Sequence, residues 1–442
     1  MTTQLLDQVT TRLAQAPGVD GWLVRQIEMT EHQFYLIGET PESERTVRTV
    51  ELEVTVYNDH PPSGPQGTGE PRRGSSQVTL LPADLPALDA KLRDAVFMAS
   101  LTDNPLFSLP GPADYPAVET ADPALLQDPP ATLRQVGDEI RRAVALERDV
   151  RLSSAEVFLR QRHVTLRNSR GAAGTHHGTN LALDLVLIAG EGRDEAERHV
   201  TFKRRRRADV DIEAQVARYA RQARDSRHAV LPQACTGPVV ISGPALHELF
   251  LPWLLHTGAE FHFQQLSPLR VGAPVFRGPV QGDPFTFISD GLLPYGSRTA
   301  PFDEEGVPRQ TITLIQDGVL QTLWAEQRYA EYLGLPASGT FANARLIPGN
   351  TPMQDLLAGD IMTHVVAFSW LNPDPITAKF SGEIRLAYQR RHGEWTPVKG
   401  GTVSGDVFAA FANARFSAET QFLGDYLGPE AIRFEELVVA GE

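Results

Sequence analysis

The fold is decided first by residues 311–324, whose sequence is TITLIQDGVLQTLW. Apolar and polar residues alternate on both sides of the dipeptide Asp317-Gly318. Asp-Gly accommodates the positive φ angles of a type I′ turn, which is the usual two-residue connection between antiparallel strands. This stretch therefore predicts a β-hairpin.

Three consecutive carboxylates, Asp303, Glu304 and Glu305, lie shortly before the first strand of that hairpin. Carboxylates at such a position stay solvated unless a cationic group faces them. Taken by itself, the pattern is typical of a solvated turn.

Length and charge limit the possible classes of protein. The 442 residues exceed what one hydrophobic core usually supports, so two or three folded units are expected. With 41 basic and 55 acidic residues the net charge is −14, which argues against a protein that binds nucleic acid by neutralising phosphates. The basic run at residues 203–207 is a local exception, and it is interpreted as a solvated strand end or turn.

Cys235 is the only cysteine, which excludes an intramolecular disulfide and a zinc site built from several cysteines. No apolar run is long enough to cross a bilayer, and the first residues lack the basic and apolar pattern of a signal peptide. The sequence therefore predicts a soluble, cytoplasmic protein without a membrane partner.

The N-terminal half shows the same order of elements twice. Each predicted unit contains a helix, three strands and a second helix. In the first unit the strands cover 22–38, 45–57 and 76–81 and the second helix covers 85–99; in the second, a helix at 133–144 precedes strands at 155–166, 180–188 and 199–203 and a helix capped by Asp211. A linker rich in proline and aspartate is predicted over about 105–130.

From about Cys235 the chain changes character. A buried strand at 239–241 and an apolar helix at 246–255 are followed by short strands and glycine turns. The predicted fold class is α+β, with two repeated helix/three-strand/helix units and a mostly β, barrel-like or sandwich C-terminal domain. The predicted domain boundaries are 1–120, 121–230 and 231–442.

Histidine spacing gives little support for a metal site. A catalytic zinc commonly uses two histidines one helical turn apart with a glutamate between them. His247-Glu248 begins such a pattern, but His256 follows nine residues later, about 900° around a helix and so on the opposite face. Pro252 also interrupts that helix. The neighbours His176 and His177 would point to opposite faces of a strand.

Several short segments, taken together and in order, resemble the TldD/PmbA family. The segments are Ser289-Asp290, 301–307, 314–320, 330–335 and Asn343-Ala344-Arg345, with 95–110, 168–171 and 237–240 upstream. This resemblance covers nearly the whole chain. The family includes metallopeptidases and their metal-free partner subunits, and members have been described as modulators of DNA gyrase.

The resemblance also implies where zinc ligands would lie. In the peptidase branch they are two histidines of an H-E-x-x-x-H helix, after a strand like 239–241, and a cysteine of the C-terminal domain. Aligning Gly243-Pro244 with the family dipeptide puts Pro252, Trp253 and Thr257 at the His, Glu and His positions, and no cysteine follows Cys235. The chain therefore resembles the metal-free, TldE/PmbA-like branch, and no cofactor is expected.

The function implied by the resemblance is that of a zinc-less subunit that helps enclose and bind peptides, which a zinc-bearing TldD-like relative hydrolyses. It would act as a homodimer or a heterodimer with that relative, with the peptide pairing against a strand edge. No catalytic residue is assigned. The expected cavity residues are Asp303, Glu304, Glu305, Gly306, Asn343 and Arg345.

Two alternatives remain open at this point. One is an active metallopeptidase homodimer with a displaced zinc site drawn from His247, Glu248, His256 or His262. The other is a stand-alone, peptide-binding regulator.

Overall fold

The computed structural model describes residues 2–62 and 69–441. One antiparallel sheet of seven strands, in the order β4-β3-β2-β1-β5-β6-β7, organises the N-terminal half. Its elements are α1 (Thr2–Leu13), β1 (Gly21–Ile37), β2 (Thr40–His60), β3 (Arg72–Leu80), α2 (Leu88–Ala99), β4 (Asn104–Pro105), α3 (Pro123–Gln127), α4 (Pro129–Ala145), β5 (Val150–Asn168), β6 (Ala173–Ala189), β7 (Ala196–Arg204) and α5 (Ile212–Arg227).

The predicted repeat of helix, three strands and helix is confirmed. Strands β1 and β5, the first long strand of each unit, pair antiparallel from Leu23↔Asn168 to Ile37↔Ser154 and so join the units in one sheet. Each unit keeps its own hydrophobic cluster, because α1 and α2 cover one part of the sheet and α4 and α5 cover the other. The boundary predicted at residue 120 remains a prediction.

The predicted linker at 105–130 extends too far. Its C-terminal part contains α3 and the start of α4, and each helix begins after an aspartate that accepts a hydrogen bond from the new helix: Asp122 from Ala124 N and Asp128 from Ala131 N. Aspartate followed by proline is also a helix N-terminal signal, because proline fits the first turn where no N–H partner is needed. The same composition that suggested a loop therefore also starts two helices.

The C-terminal half is mainly β, as predicted, and contains a closed barrel. Strands β8, β13, β14, β16 and β20 form the barrel: β13 pairs with β8 in parallel and with β14 in an antiparallel manner, and the remaining pairs are antiparallel. A second sheet has the order β11-β10-β9-β12-β19-β18. The elements are β8 (Cys235–Ser242), α6 (Ala245–Glu248), α7 (Leu251–His256), α8 (Ala259–Phe263), β9 (Phe287–Asp290), β10 (Thr311–Gln316), β11 (Val319–Leu320), α9 (Gln327–Leu333), β12 (Asn343–Leu346), α10 (Met353–Leu356), β13 (Met362–Pro373), β14 (Lys379–Arg391), β15 (Glu394–Val398), β16 (Thr402–Asp406), α11 (Val407–Phe411), β17 (Arg415–Phe416), β18 (Thr420–Phe422), β19 (Tyr426–Pro429) and β20 (Ala431–Ala440).

The hairpin predicted around Asp317-Gly318 is confirmed as β10 and β11. Both turn residues have positive φ, 49° for Asp317 and 77° for Gly318, as a type I′ turn requires. The second strand is shorter than predicted and ends at Leu320. Beyond it the backbone N–H of Trp324 donates to the carbonyl of Thr257, so the chain leaves the hairpin to contact the end of α7.

The single helix predicted at 246–255 is divided into α6 and α7. Pro252 lies in the first turn of α7, where its missing N–H breaks no hydrogen bond. The next residue, Trp253, is completely buried among Phe285, Phe408 and Phe411. Within 2–62 and 69–441, no helix is long and apolar enough to cross a membrane.

Candidate functional site

A cavity of about 580 Å³ lies between the N-terminal sheet and the C-terminal half, and we call it the charged cavity. One wall, the sheet wall, comes from β1, β5, β6 and the residue after β7. The opposite wall, the C-terminal wall, comes from the loops around β9 and β10 and the start of α9. Charged and histidine side chains that line it are Arg25, Arg162, His176 and Arg205 on the sheet wall and Arg298, Asp303, Glu304, Glu305, Arg309 and Glu326 on the C-terminal wall.

Asp303 organises the loop in which the acidic cluster lies. Its side chain is only 3% exposed, so the interpretation as a solvated turn is wrong for this residue. One carboxylate oxygen accepts hydrogen bonds from the backbone N–H groups of residues 305, 306 and 307, and the other accepts one from Thr340 N at 3.1 Å. Burial raises the pKa of Asp303, while Arg309 and the backbone donors oppose that rise. Backbone N–H groups therefore take the place of the water that the sequence pattern predicted around the Asp303 carboxylate.

Glu304 faces cationic groups from both walls. Its carboxylate lies 3.3 Å from the guanidinium of Arg309 and 4.0 Å from that of Arg25, and it accepts a hydrogen bond from the Thr340 hydroxyl at 2.9 Å. Burial acts to raise the pKa of Glu304, but Arg309 and these hydrogen bonds outweigh it and keep the pKa below its usual value. Glu304 is therefore an anion at neutral pH.

Glu305 and Glu326 are the carboxyl groups most suited to exchange protons near neutral pH. Burial raises the pKa of Glu305 to about 8, with Asp303 and Glu326 adding to the effect. Burial, together with Glu260 and Asp303, raises the pKa of Glu326 to about 7. Glu305 accepts a hydrogen bond from Gln327 N at the start of α9. A group with a pKa near the working pH can act as donor or acceptor of a proton.

The sheet wall is cationic. Both terminal nitrogens of Arg205 donate to backbone carbonyls of the other wall, to Ser297 at 2.7 Å and Thr299 at 2.8 Å. Burial and Arg162 lower the pKa of Arg205 to about 10, and burial with Arg162 and Arg205 lowers the pKa of His176 to about 4. His176 is therefore neutral at pH 7, and the positive charge of this wall resides on its arginines.

The remaining residues predicted for the cavity lie behind or beside its walls. Asn343 is completely buried; it accepts a hydrogen bond from Arg298 N and donates to the Thr299 hydroxyl, so it fixes two residues that do line the cavity. Gly306 is in the Asp303 loop, where its carbonyl accepts a hydrogen bond from the Tyr115 hydroxyl. Arg345 is half exposed and pairs with Asp290 at 3.3 Å, outside the cavity lining.

Sequence reasoning missed Arg162, His176, Arg205 and Glu326 as a set. Only two weak signals pointed to them. The adjacent histidines of β6 do diverge as predicted, because His176 lines the charged cavity and His177 lines a groove on the long strands. The basic run at 203–207 does lie at a strand end, but Arg204 is only 8% exposed and Arg205 bonds across the cavity.

A smaller pocket of about 260 Å³ adjoins the charged cavity, since Arg298 and Phe341 line both. Its wall is mainly apolar and includes Phe250, Leu254 and Phe287. Glu248 is the one carboxylate in this lining, and burial raises its pKa. The two spaces together offer a charged and an apolar compartment side by side.

The residues at the positions implied for zinc do not fit a zinc ion. Pro252 has no donor atom, Trp253 is enclosed by phenylalanine rings, and the Thr257 hydroxyl donates to the carbonyl of Trp253 at 2.8 Å. Zinc sites in proteins use histidine, cysteine and carboxylate ligands.

The histidines of the alternative, displaced site have different surroundings. His256 is completely buried between Phe261 and Phe408, and His262 Nε2 bonds to the backbone carbonyl of His256 at 3.0 Å. His247 lies 3.6 Å from the carboxylate of Asp425. In the part of the chain that the structure describes, no three His, Cys, Asp or Glu side chains are grouped so that they could hold a metal.

Comparison with known proteins identifies the C-terminal half. Residues 234–441 match the PmbA/TldA metallopeptidase C-terminal domain. The C-terminal half of the chain therefore belongs to the TldD/PmbA family. A metalloprotease of Synechocystis is 29% identical over 318 residues, which cover 64% of this chain and 67% of that protein. A metalloprotease TldD homolog of Haemophilus influenzae is 26% identical over 186 residues, 35% of this chain and only 38% of that protein.

Solved structures share the fold over nearly the whole chain. TldE from Thermococcus kodakarensis superposes with a TM-score of 0.81 at 17% identity and 100% coverage of both chains. A Thermotoga maritima protein, described as a proposed modulator of a DNA gyrase, gives 0.78 at 18% identity, covering 98% of this chain and all of that one. At these identities the likeness concerns the fold. The sheet wall of the charged cavity lies outside residues 234–441.

Proposed function

We propose that this TldD/PmbA-family protein is a zinc-less subunit that binds short peptides in the charged cavity and helps enclose them for hydrolysis by a zinc-bearing relative. The carrying observation combines two features: Pro252, Trp253 and Thr257 offer no zinc-binding set of side chains, and the chain has a cavity of about 580 Å³ lined by both signs of charge. A volume of this size is typical of small-ligand sites. In this proposal the two subunits have different roles: this chain binds the peptide, and its relative provides the metal-activated water.

Peptide binding by main-chain pairing also has support. At one end of the six-stranded sheet, residues 272–275 already bond to the backbone of β11. At the other end, β18 pairs only with β19 in that sheet among the described residues, so its outer edge is open. An extended peptide can add to such an edge through backbone hydrogen bonds, a mode that tolerates many sequences. The adjoining apolar pocket would take a hydrophobic side chain of the same peptide.

Co-expression with a zinc-bearing family member tests the proposal. We expect a complex of equal stoichiometry in which zinc belongs to the relative, and peptidase activity that needs both chains. The matched control replaces the relative with a variant whose zinc-ligand histidines are alanine; the complex should form but lose activity.

The active-homodimer alternative predicts the opposite result for the isolated chain. Stoichiometric zinc in the purified protein, lost together with peptidase activity in His256→Ala, would refute the partner-subunit proposal. The stand-alone regulator would bind peptides without recruiting any zinc-bearing relative.

A further inference from the structure

We infer that the charged cavity selects short peptides by their two free termini, with the α-carboxylate on the arginines of the sheet wall and the α-ammonium on Glu326 and Glu305 of the C-terminal wall. This inference rests on the proposed function for the class of ligand, a peptide. It adds which part of the peptide is recognised, and by which residues of this chain.

Arg162 is the cation left for the carboxylate. Most other arginines of the cavity are engaged: Arg25 pairs with Glu53, Arg309 with Glu304, and Arg298 lies 3.4 Å from Asp425. Arg205 uses both terminal nitrogens on carbonyls of the opposite wall. Within residues 2–62 and 69–441, Arg162 has no hydrogen-bond or ion-pair partner. Its planar guanidinium can bind a carboxylate through two parallel hydrogen bonds.

Glu326 is the corresponding group for the ammonium. It precedes α9 at the N-cap position, yet its side chain makes no cap hydrogen bond. It has no ion-pair partner among the residues described, and its neighbour Glu305 accepts a single backbone N–H. Two carboxyl groups whose pKa values are raised by burial and by neighbouring carboxylates gain most from an added cation.

The two walls do not neutralise each other directly at these positions. Among the residues described, one ion pair crosses the cavity, Arg25 with Glu304 at 4.0 Å. Within the described part of the chain, the cavity therefore has an unpaired arginine on one wall and two carboxyl groups without an ion-pair partner, Glu326 and Glu305, on the other. A peptide with two free termini supplies both missing charges, whereas an internal segment of a long chain supplies neither. The ordinary explanation, two solvated surface charges, predicts no dependence on the termini.

Calorimetry on the isolated chain tests the inference with tetra-alanine in four forms: free at both ends, N-acetylated, C-amidated and capped at both ends. We expect each cap to weaken binding about tenfold, as the loss of a charge-assisted contact of about 1.4 kcal/mol would. Arg162→Gln should abolish the difference between free and amidated peptides, and Glu326→Gln that between free and acetylated peptides. Arg170→Gln and Glu213→Gln, exposed positions away from the cavity, should change neither ratio.

Equal affinity for all four forms would overturn the inference, and so would failure of every form to bind. These outcomes are distinct from failure of the proposed function, which is measured by complex formation and peptidase activity with the zinc-bearing relative. A complex that hydrolyses long and capped peptides as readily as free ones would keep the proposed function and refute recognition by termini.

Discussion

Replacing Glu305 with glutamine should stabilise the protein at alkaline pH. The folded-state pKa of Glu305 is about 8, against an ordinary value of 4.5, because burial and the neighbouring carboxylates disfavour its charge. A pKa raised by folding means that the neutral carboxyl contributes stability fully below about pH 4.5, and that this stability is lost as the pH rises through about 8. The glutamine oxygen can still accept the hydrogen bond from Gln327 N, so only the charge is removed.

The size of the effect follows from the gap between the two pKa values. Roughly three and a half pH units at about 1.4 kcal/mol each set a ceiling of about 5 kcal/mol. Glu305 is only half-buried and borders the charged cavity, so screening reduces the expected gain to about 1–2 kcal/mol at pH 9. The gain should fall to nearly zero at pH 5. Urea unfolding of both proteins at pH 5, 7 and 9 measures it.

Glu304→Gln is the matched control, because it neutralises the adjacent residue of the same cavity. The folded-state pKa of Glu304 is below its usual value of 4.5. Its charge therefore stabilises the protein above about pH 4.5, and this stabilisation is lost as the pH falls through the lowered, folded-state pKa. This variant should lose about 0.5–1 kcal/mol at pH 9 through the contacts with Arg309 and Arg25. If both variants shift stability in the same direction at pH 9, the electrostatic assignment of the cavity is refuted.

Three further predictions concern single sites. Asp303→Asn should cost about 1–3 kcal/mol in urea unfolding, because one amide oxygen cannot replace both carboxylate oxygens that accept backbone N–H groups; an unchanged midpoint would contradict its role in the loop. Gly318→Ala should lower the melting temperature more than Gly393→Ala, although both glycines have positive φ. A Cβ at residue 318 would lie 2.6 Å from the Phe276 ring, whereas one at residue 393 would contact nothing within 4 Å. Equal losses in the two variants would refute the packing argument. Asn343→Ala should weaken peptide binding at the charged cavity and cost about 1–3 kcal/mol of stability, since it frees Arg298 N and the Thr299 hydroxyl; calorimetry and unfolding that show no change would exclude this indirect role.

Local signals were sufficient for much of the fold. Asp317-Gly318 specifies its turn through backbone angles that depend on two residues alone, and the hairpin appears where the sequence predicts it. Asp211 begins α5 by accepting a hydrogen bond from Ala214 N, as predicted for an N-cap. The length of β11 could not be predicted in the same way, because it is ended by the distant contact between Trp324 and Thr257.

The charge states and contacts of the acidic residues in the charged cavity could not be derived from the local sequence pattern. Asp303, Glu304 and Glu305 are consecutive and chemically alike, yet folding gives them three environments: a ring of backbone donors, a pair of guanidinium groups, and a poorly solvated site near other carboxylates. What distinguishes them comes from segments far away in sequence, such as Arg25 on β1 and Glu326 before α9. The expectation that a carboxylate stays solvated unless a cation faces it describes Glu304, which contacts Arg309 and Arg25, but it is wrong for Asp303, which backbone donors surround. Which cation would face Glu304 depended on how β1 and β5 pair across the sheet.

The basic run at 203–207 extends the same argument to the opposite wall. Its composition is typical of a solvated strand end. In the structure its side chains alternate between the two faces of β7, with Lys203 exposed and Arg204 buried. Arg205 then follows the last residue of β7 and reaches the carbonyls of Ser297 and Thr299. A guanidinium that binds two carbonyls of another segment holds the sheet and the C-terminal half together, and it leaves Arg162 as the cation of that wall without a protein partner among the described residues. Two arginines of the same wall therefore have different roles: Arg205 joins the two walls, and Arg162 is available to a ligand.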